Sequence, residues 1–462
     1  MPVSGGGGAG VGDGQRLSDT IHPAAWCRLG SSAILCGIAF VVRWRNCATE
    51  QTIVDRHTTN RNLRLLVIEL FWASIAIACY SFAAAFLIQL GGSNLMVSLL
   101  TSAAALVNAL TSIPFAMFLE RIGNRRPWII GSLLALRLGH IGLIFVPFLP
   151  AYRAEAMVAL LLLINVPVAL FNAGWLPMLG DIVPLAQRAR LFSARNMTMG
   201  ITVMTTTFLM GRWLDAAPFP ANYQLMFALA VVASLLSTVY VARLTIPPSP
   251  VVERTAGRHR PTFVEVRALL RQQRSFANIT INTLIFNIAF WMGTPLQPIY
   301  FVRELGASDG WLGVWLALIS GGQIIGNLVW PRLIEKRGYS WVLLRAATAS
   351  ALYYFLIGAV PDLTLILLFA LLFGAVSPGV EISHFNILLE VCPPERRAFS
   401  IGVFVTVMNV GFFVATLACA PLIDLVGAQA LVLILAGVRL IGALLFVVNP
   451  VRAATIEIAK VH

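Results

Sequence analysis

A short charged turn, Phe115-Ala-Met-Phe-Leu-Glu120-Arg121-Ile-Gly123-Asn-Arg125-Arg126-Pro127-Trp128, lies between two long apolar runs. A similar charged turn, Pro331-Arg332-Leu-Ile-Glu335-Lys336-Arg337-Gly338-Tyr339-Ser340-Trp341, lies downstream. Glu120 and Glu335 are 215 residues apart, and so are Gly123 and Gly338. The shared offset predicts an internal duplication of the chain.

Further matched segments extend this duplication in both directions. Ser93 and Ser308 keep the offset of 215 residues, each after a Leu-Gly step. Asp181-Ile-Val-Pro184 matches Glu390-Val-Cys-Pro393, and Asp215 matches Asp424, at an offset of 209. The spacing has therefore slipped by six residues between the first and the second part of each repeat.

The composition predicts an all-α integral membrane protein. Of the 462 residues, 58% are hydrophobic and 11% are charged, against roughly 25% charged residues in soluble domains. The apolar residues come in runs of about 20, enough to cross a bilayer as a helix. The net charge of +13 does not indicate nucleic acid, because 27 of the 33 Lys and Arg lie on one predicted side, three on the other and three inside spans.

The apolar runs predict twelve membrane spans in two halves of six. The predicted spans are 63–90, 94–119, 128–149, 155–180, 196–214, 222–244, 276–302, 311–333, 340–361, 362–389, 399–424 and 428–449. Basic residues follow the even-numbered spans, which predicts that both termini are cytoplasmic. The predicted domains are a disordered tail 1–60, a first bundle 61–244, a cytoplasmic linker 245–275, a second bundle 276–450 and a cytoplasmic tail 451–462.

This layout resembles the major facilitator superfamily over residues 60–450. The signature of that family after span 2, Gly-x-x-x-Asp-Arg-x-Gly-Arg-Arg/Lys, appears here as Ala116-x-x-x-Glu120-Arg121-x-Gly123-Asn124-Arg125. Ala116, Glu120 and Asn124 depart from the signature. The resemblance implies two parallel six-helix repeats that rock about a central cavity, which spans 1, 4, 7 and 10 line.

The charged turns predict a conformational latch at the cytoplasmic face. Partly desolvated charge pairs there are strong enough to hold one conformation and weak enough to break, and Asp181 is the expected partner of Arg121 or Arg125. The alternative is that these charges serve only as topology anchors. The predicted latch residues are Glu120, Arg121, Gly123, Arg125, Asp181, Glu335 and Gly338.

Ionisable residues inside the spans are the candidates for proton coupling. Glu381 is the first candidate and His384 the second; they lie three residues apart, on one helical face. Burial favours the neutral form of a carboxyl group, which can then exchange a proton. The matching residues of span 4 are Asn172 and Trp175. The alternative is a structural hydrogen-bonded pair near the cytoplasmic mouth.

Other charged residues in the spans have different expected roles. Glu69 in span 1 is the third coupling candidate, or else a shallow ion pair for Arg64. Arg137, His140 and Arg439 lie on spans that are more peripheral in the family, so we expect them to face the bundle and pair with carbonyls or a carboxylate.

Amide and aromatic residues of the cavity helices suit an amphiphilic or an uncharged polar substrate. The same side chains often join helices through hydrogen bonds, so a structural role is the alternative for each. The predicted cavity residues are Asn172, Trp175, Asn165, Tyr80, Asn278, Asn282, Trp291 and Gln297.

Together these patterns predict a monomeric secondary transporter of a small molecule, in the cell or plasma membrane, that works by alternating access. Proton-coupled export is favoured, and proton-coupled uptake of a nutrient is the alternative. A non-transporting sensor or assembly factor, with residues 1–60 as its working part, is a third. The chain has no GxxxxGK[ST] phosphate loop, HExxH or soluble catalytic domain, so we expect neither an enzyme nor a cofactor or metal site. The expected partners are lipid, substrate and protons, and not nucleic acid.

Overall fold

The computed structural model describes residues 53–122, 125–245, 267, 269, 271–392 and 397–448. Within these residues the chain forms twelve long helices and no strand. In chain order they are α1 (Ile53–Tyr80, resuming as Ala83–Gln89), α2 (Asn94–Arg121), α3 (Arg126–Phe145), α4 (Arg153–Ile182), α5 (Leu185–Ala216), α6 (Ala221–Ala242), α7 (Arg274–Ile299, extended by a π-helical turn Tyr300–Glu304), α8 (Asp309–Arg337), α9 (Tyr339–Ala359), α10 (Leu363–Val391), α11 (Arg397–Val426) and α12 (Ala428–Val448).

Each helix coincides with one predicted span, which confirms the all-α membrane fold. Among the described residues, ten helices are long and apolar enough to cross a membrane. α2 contributes the shorter apolar stretch Asn94–Asn108, and α5 is not among the ten. The sequence of α5 explains this, because it contains four arginines and an aspartate over its length.

Two helices begin about ten residues earlier than the sequence predicted. α1 begins at Ile53, so residues 53–60 of the predicted disordered tail are helical. α5 begins at Leu185, directly after the N-capping Pro184, and not at residue 196. The remainder of the predicted tail, most of the predicted linker 245–275 and the predicted C-terminal tail lie outside the described residues.

Local sequence explains where several helices begin. Ser93 caps α2 and Ser308 caps α8, each accepting a backbone N–H from three residues onward. Asp362 caps α10 by accepting the N–H groups of Thr364 and Leu365, at 2.8 and 2.9 Å. Such side chains satisfy N–H groups that have no partner within the helix. Gly338 has a φ of 80° between α8 and α9, a conformation that favours glycine.

The helices pack as a six-helix N-terminal half, α1–α6, and a six-helix C-terminal half, α7–α12. Between the halves, the main helix contacts run along two seams, α5 with α8 and α2 with α11. At the first seam the backbones touch, since a Cβ on Gly211 would lie 2.8 Å from the Cα of Gly313. Small residues of this kind allow membrane helices to approach closely.

We name the two ends of the bundle by the predicted orientation. The external end carries the connections α1–α2, α3–α4, α5–α6, α7–α8, α9–α10 and α11–α12. The cytoplasmic end carries the connections that follow the even-numbered helices.

Candidate functional site

A buried ion pair lies inside the N-terminal half. The carboxylate of Glu69 on α1 is 3.1 Å from the guanidinium of Arg195 on α5. Glu69 is only 5% exposed and Arg195 only 7%. Ser237 on α6 donates a hydrogen bond of 3.0 Å to the other carboxylate oxygen of Glu69. The carboxylate therefore has partners on two helices besides its own.

Arg195 joins this ion pair to a fourth helix. Its guanidinium also donates to the backbone carbonyl of Leu66 on α1. Its carbon atom lies 5.7 Å from the ring centroid of Trp175 on α4, within the range of a cation–π contact. A buried pair of charges tolerates desolvation only when further hydrogen bonds of this kind surround it. Helices α1, α4, α5 and α6 thus meet at this ion pair.

The sequence-based alternative that pairs Glu69 with Arg64 is wrong. Arg64 is exposed, and Arg195 holds the carboxylate. Sequence reasoning missed Arg195 because span 5 was predicted to begin one residue after it. The Pro184 cap followed by Leu185 was the available signal, since a helix that begins there carries Arg195 about three turns from its start.

A second group of polar side chains lies between α1, α3 and α6. The ring of Tyr80 stacks on His140, with centroids 4.0 Å apart, and on Phe227 at 6.2 Å. His140 Nδ1 lies 2.8 Å from the carbonyl oxygen of Leu136 on its own helix. Within the described residues, the Tyr80 hydroxyl and the Nε of Arg137 have no hydrogen-bond partner. Tyr80, a predicted cavity residue, is packed inside this half.

His384 and Glu381 have different surroundings although one helical turn separates them. The Nε2 of His384 lies 2.7 Å from Thr283 Oγ1 on α7, and its ring centroid is 5.6 Å from that of Phe404 on α11. Glu381 is exposed and makes no hydrogen bond or ion pair with any residue that the structure describes. His384 therefore joins three helices, whereas the Glu381 carboxyl group is left for solvent or ligand.

The exposed residues of α10 lie on two opposite faces. Leu372 is 53% exposed, and Glu381 follows it nine residues later. Nine residues of an α-helix turn through two and a half revolutions, which places the two side chains on opposite faces. Phe385, one turn beyond Glu381, is also exposed, at 57%. The leucine face suits lipid, so the Glu381 face is the one available to a cavity.

The predicted cavity amides of α7 separate into two groups. Asn282 is fully buried and donates to the Leu445 carbonyl of α12 at 3.0 Å, so it joins two helices. Gln297 is 8% exposed and also buried. Trp291 is buried edge-on against Phe412 of α11, with centroids 5.8 Å apart. Only Asn278 is partly exposed.

The two predicted amides of α4 also differ. Asn165 donates to the carbonyl of Leu161 on its own helix at 2.9 Å. Asn172 is exposed, one turn before the half-buried Trp175. Of the predicted cavity residues, Trp175 is the one that the structure brings into contact with the ion pair of Glu69, through Arg195.

Arg439 lies inside the C-terminal half, as expected for a structural role. It is 4% exposed and bonds to the hydroxyl of Ser350 at 3.0 Å and to the carbonyl of Phe286 at 3.3 Å. The rings of Phe286, Phe290 and Tyr354 lie 4.1, 5.7 and 5.3 Å from its guanidinium carbon. Carbonyl, hydroxyl and aromatic groups thus surround this charge.

The predicted latch falls largely outside the described residues. This applies to Gly123 and to the side chains of Glu120, Arg121 and Asp181. Arg125 donates to the Leu119 carbonyl at 3.2 Å. In the downstream turn Glu335 is exposed, and Gly338 adopts its positive φ. The latch therefore stays a prediction.

Comparison with known sequences gives one family. The model of the Major Facilitator Superfamily matches residues 66–311 and 279–460. The chain is 29% identical to an MFS-type efflux pump of Mycolicibacterium smegmatis over 314 residues, 62% of this chain and 70% of that protein. It is 28% identical to the multidrug resistance protein MdtG of Proteus mirabilis over 152 residues, 32% of this chain and 37% of that protein.

Comparison with solved structures supports the same fold. The structure aligns with a point mutant of the nucleoside transporter NupG at a TM-score of 0.65. The alignment covers 84% of this chain and 99% of that one, with 14% sequence identity. At that identity the likeness shows the arrangement of the helices alone.

Proposed function

The chain belongs to the major facilitator superfamily of transporters, and from that premise we propose that it exports a small molecule in exchange for protons by alternating access. The direction of transport is proposed from the two relatives with sequence similarity, which are named as an efflux pump and a multidrug resistance protein. Coupling to protons is proposed from the chain's own carboxyl groups.

The observation that carries the coupling proposal is the isolated carboxyl group of Glu381. A charged side chain at the membrane centre costs at least about 2.5–3.5 kcal/mol. Glu381 has no counter-charge among the described residues, and it lies on the face of α10 opposite the exposed leucine. A group of this kind takes up a proton from one side and releases it on the other.

Glu69 serves a different purpose in this proposal. Arg195 and Ser237 bind the two oxygens of its carboxylate, one each, so neither oxygen is left for an exchanging proton. We therefore assign Glu69 the role of fixed counter-ion to Arg195, and place Glu381 first for proton exchange. His384 shares a hydrogen bond with Thr283 and is proposed to orient α10 against α7.

The experiment compares Glu381→Gln with Glu390→Gln in cells that lack their own efflux pumps. Glu390 is a matched control because it is also an exposed carboxyl group of α10, but lies at the cytoplasmic end of the helix. The measurements are accumulation of ethidium and survival across a chemically diverse compound panel. We expect the wild type and Glu390→Gln to lower accumulation, and Glu381→Gln to lose this effect.

Two further readings separate the alternatives. Nigericin, which collapses the pH gradient, is expected to abolish export by the wild type. Higher accumulation than in empty cells would contradict export and indicate uptake. If the wild type neither lowers nor raises accumulation of any compound, the result favours the sensor or assembly role. The next experiment then compares the wild type with a variant that lacks residues 1–60.

A further inference from the structure

Five hydrogen bonds join the two halves among the described residues, and all five lie at the external end. Two join the ends of α5 and α8, one joins the ends of α2 and α11, and two join the π-helical turn after α7 to the start of α2. None of them contributes to packing within a half. Their strength therefore acts on the relative position of the halves, which is what a transport cycle changes.

At the α5–α8 seam, the carboxylate of Asp215 binds the first turn of α8. One oxygen accepts the hydroxyl of Ser308 and the other accepts the backbone N–H of Gly310, both at 2.8 Å. The first N–H groups of a helix have no partner within it, and its dipole favours a negative charge there. Asp215 of the N-terminal half thus accepts hydrogen bonds from the first turn of a helix in the C-terminal half.

At the α2–α11 seam, Asp424 makes the corresponding contact in the opposite direction. Its carboxylate accepts the side-chain amide of Asn94, the first residue of α2, at 2.9 Å. The carbonyl oxygen of Asn94 accepts a hydrogen bond from Arg303 in the π-helical turn after α7. Arg303 also donates to the backbone carbonyl of Gly92. Here two residues of the C-terminal half hold the start of α2.

The internal duplication relates the two contacts. Asp215 and Asp424 occupy equivalent positions at the offset of 209 residues, and the capping residues Ser93 and Ser308 do so at 215. The turns that lead into the two caps each contain a glycine with a positive φ, 83° at Gly91 and 66° at Gly306. These glycines are also 215 residues apart, so the same turn, cap and aspartate occur twice.

We propose that Asp215 and Asp424 are positioning residues of the transport cycle: two latches, one on each seam, that hold the external ends of the halves together and release as the cavity opens outward. This inference rests on the alternating access proposed above. It concerns the external end, whereas the latch predicted from the sequence lies at the cytoplasmic end. The two external latches do not require either aspartate to bind substrate or to exchange protons.

The test measures the separation of the halves directly in the purified full-length protein. Spin labels are placed at two exposed residues of the external end, Tyr152 in the N-terminal half and Pro361 in the C-terminal half, after replacement of the six native cysteines. We expect each of Asp215→Ala and Asp424→Ala to raise the ratio of long to short distances about tenfold, the shift that corresponds to one charged hydrogen bond. The double variant is expected to exceed either.

Glu304→Ala is the matched control for removal of a carboxylate. Glu304 lies at the same end and accepts the N–H groups of Ala428 and Gln429, at 2.9 and 3.2 Å, all within the C-terminal half. It should leave the distance between Tyr152 and Pro361 unchanged. A label pair within one half, at Tyr152 and Phe219, should keep its distance in every variant, which shows that the half remains folded.

Gly310→Ala is an independent steric variant. A Cβ at this residue would overlap the Asp215 carboxylate, so it displaces the carboxylate without removing it, and we expect the same opening. Unchanged distances in the double aspartate variant would overturn the inference. Equal opening with Glu304→Ala would also overturn it. Because the distances need no substrate, failure of the export proposal would show separately, in the comparison of Glu381→Gln with Glu390→Gln.

Discussion

Equivalent positions in the two halves bring three helices together in different ways. In the N-terminal half, Trp175 of α4 contacts Arg195 of α5, which pairs with Glu69 of α1. In the C-terminal half, 209 residues later, His384 of α10 contacts Phe404 of α11. His384 also meets α7, through a 2.7 Å hydrogen bond. One half uses an ion pair at this point and the other uses neutral groups.

The difference shows that the fold of a half does not require charge here. The C-terminal half closes the same contact of three helices with a hydroxyl, an imidazole and a phenyl ring. The ion pair is therefore a property of the N-terminal half alone, and that half depends on it: removing one member leaves the other charge buried. The neutral contact has no such dependence. The two halves should consequently respond differently to equivalent substitutions.

The largest expected effect is that of Glu69→Gln. The substitution keeps the shape and removes the charge, so that Arg195 is left buried without its counter-ion. Breaking a buried ion pair in this way is expected to lower the free energy of unfolding by about 3–5 kcal/mol. The measurement is denaturant-induced unfolding of the purified protein in detergent, followed through its helical circular dichroism.

The double variant Glu69→Gln with Arg195→Met is the control for this prediction. Replacing a buried ion pair as a whole is often neutral, so the second change should restore most of the lost stability. A double variant as unstable as Glu69→Gln alone would show that the helices need the charges themselves. In that case the comparison between the halves would fail.

The sequence was sufficient to predict the helices but not this ion pair. Apolar runs located all twelve helices, and the repeated turns around Glu120 and Glu335 located the two halves. The start of α5 was hidden because Arg188 and Arg190 interrupt its apolar pattern and resemble a loop. Arg195 was consequently taken for a residue outside the membrane.

The partners within the site could not be predicted for a related reason. Glu69 and Arg195 are 126 residues apart, and no spacing rule for one helix relates them. Short spacing was likewise misleading for Glu381 and His384, which share a helical face by sequence but have separate surroundings in the structure. Helix packing determines these contacts, because it decides which face of each helix meets another.

A smaller effect is expected for Thr283→Val in the C-terminal half. The substitution keeps the size of the side chain and removes the hydroxyl that His384 contacts at 2.7 Å. Leaving the half-buried imidazole without its partner should cost about 1–3 kcal/mol. Thr280→Val is the matched control, because Thr280 is buried on the same helix and donates only to the Phe276 carbonyl one turn earlier. A loss with Thr283→Val as large as with Glu69→Gln would contradict the difference between the halves.

The smallest effect is expected for Arg439→Met, which removes a buried charge from the C-terminal half. Arg439 has no carboxylate among its described partners, which are a hydroxyl, a carbonyl and three aromatic rings. Methionine is an unbranched side chain that fills irregular gaps and packs well against aromatic rings. The lost cation–π attraction, about 2 kcal/mol when desolvated, is offset by relief from desolvating the charge. The free energy of unfolding should therefore change by less than about 1 kcal/mol. A loss of several kcal/mol would mean that Arg439 holds the C-terminal half together as Arg195 does the N-terminal half, and that both halves depend on charge.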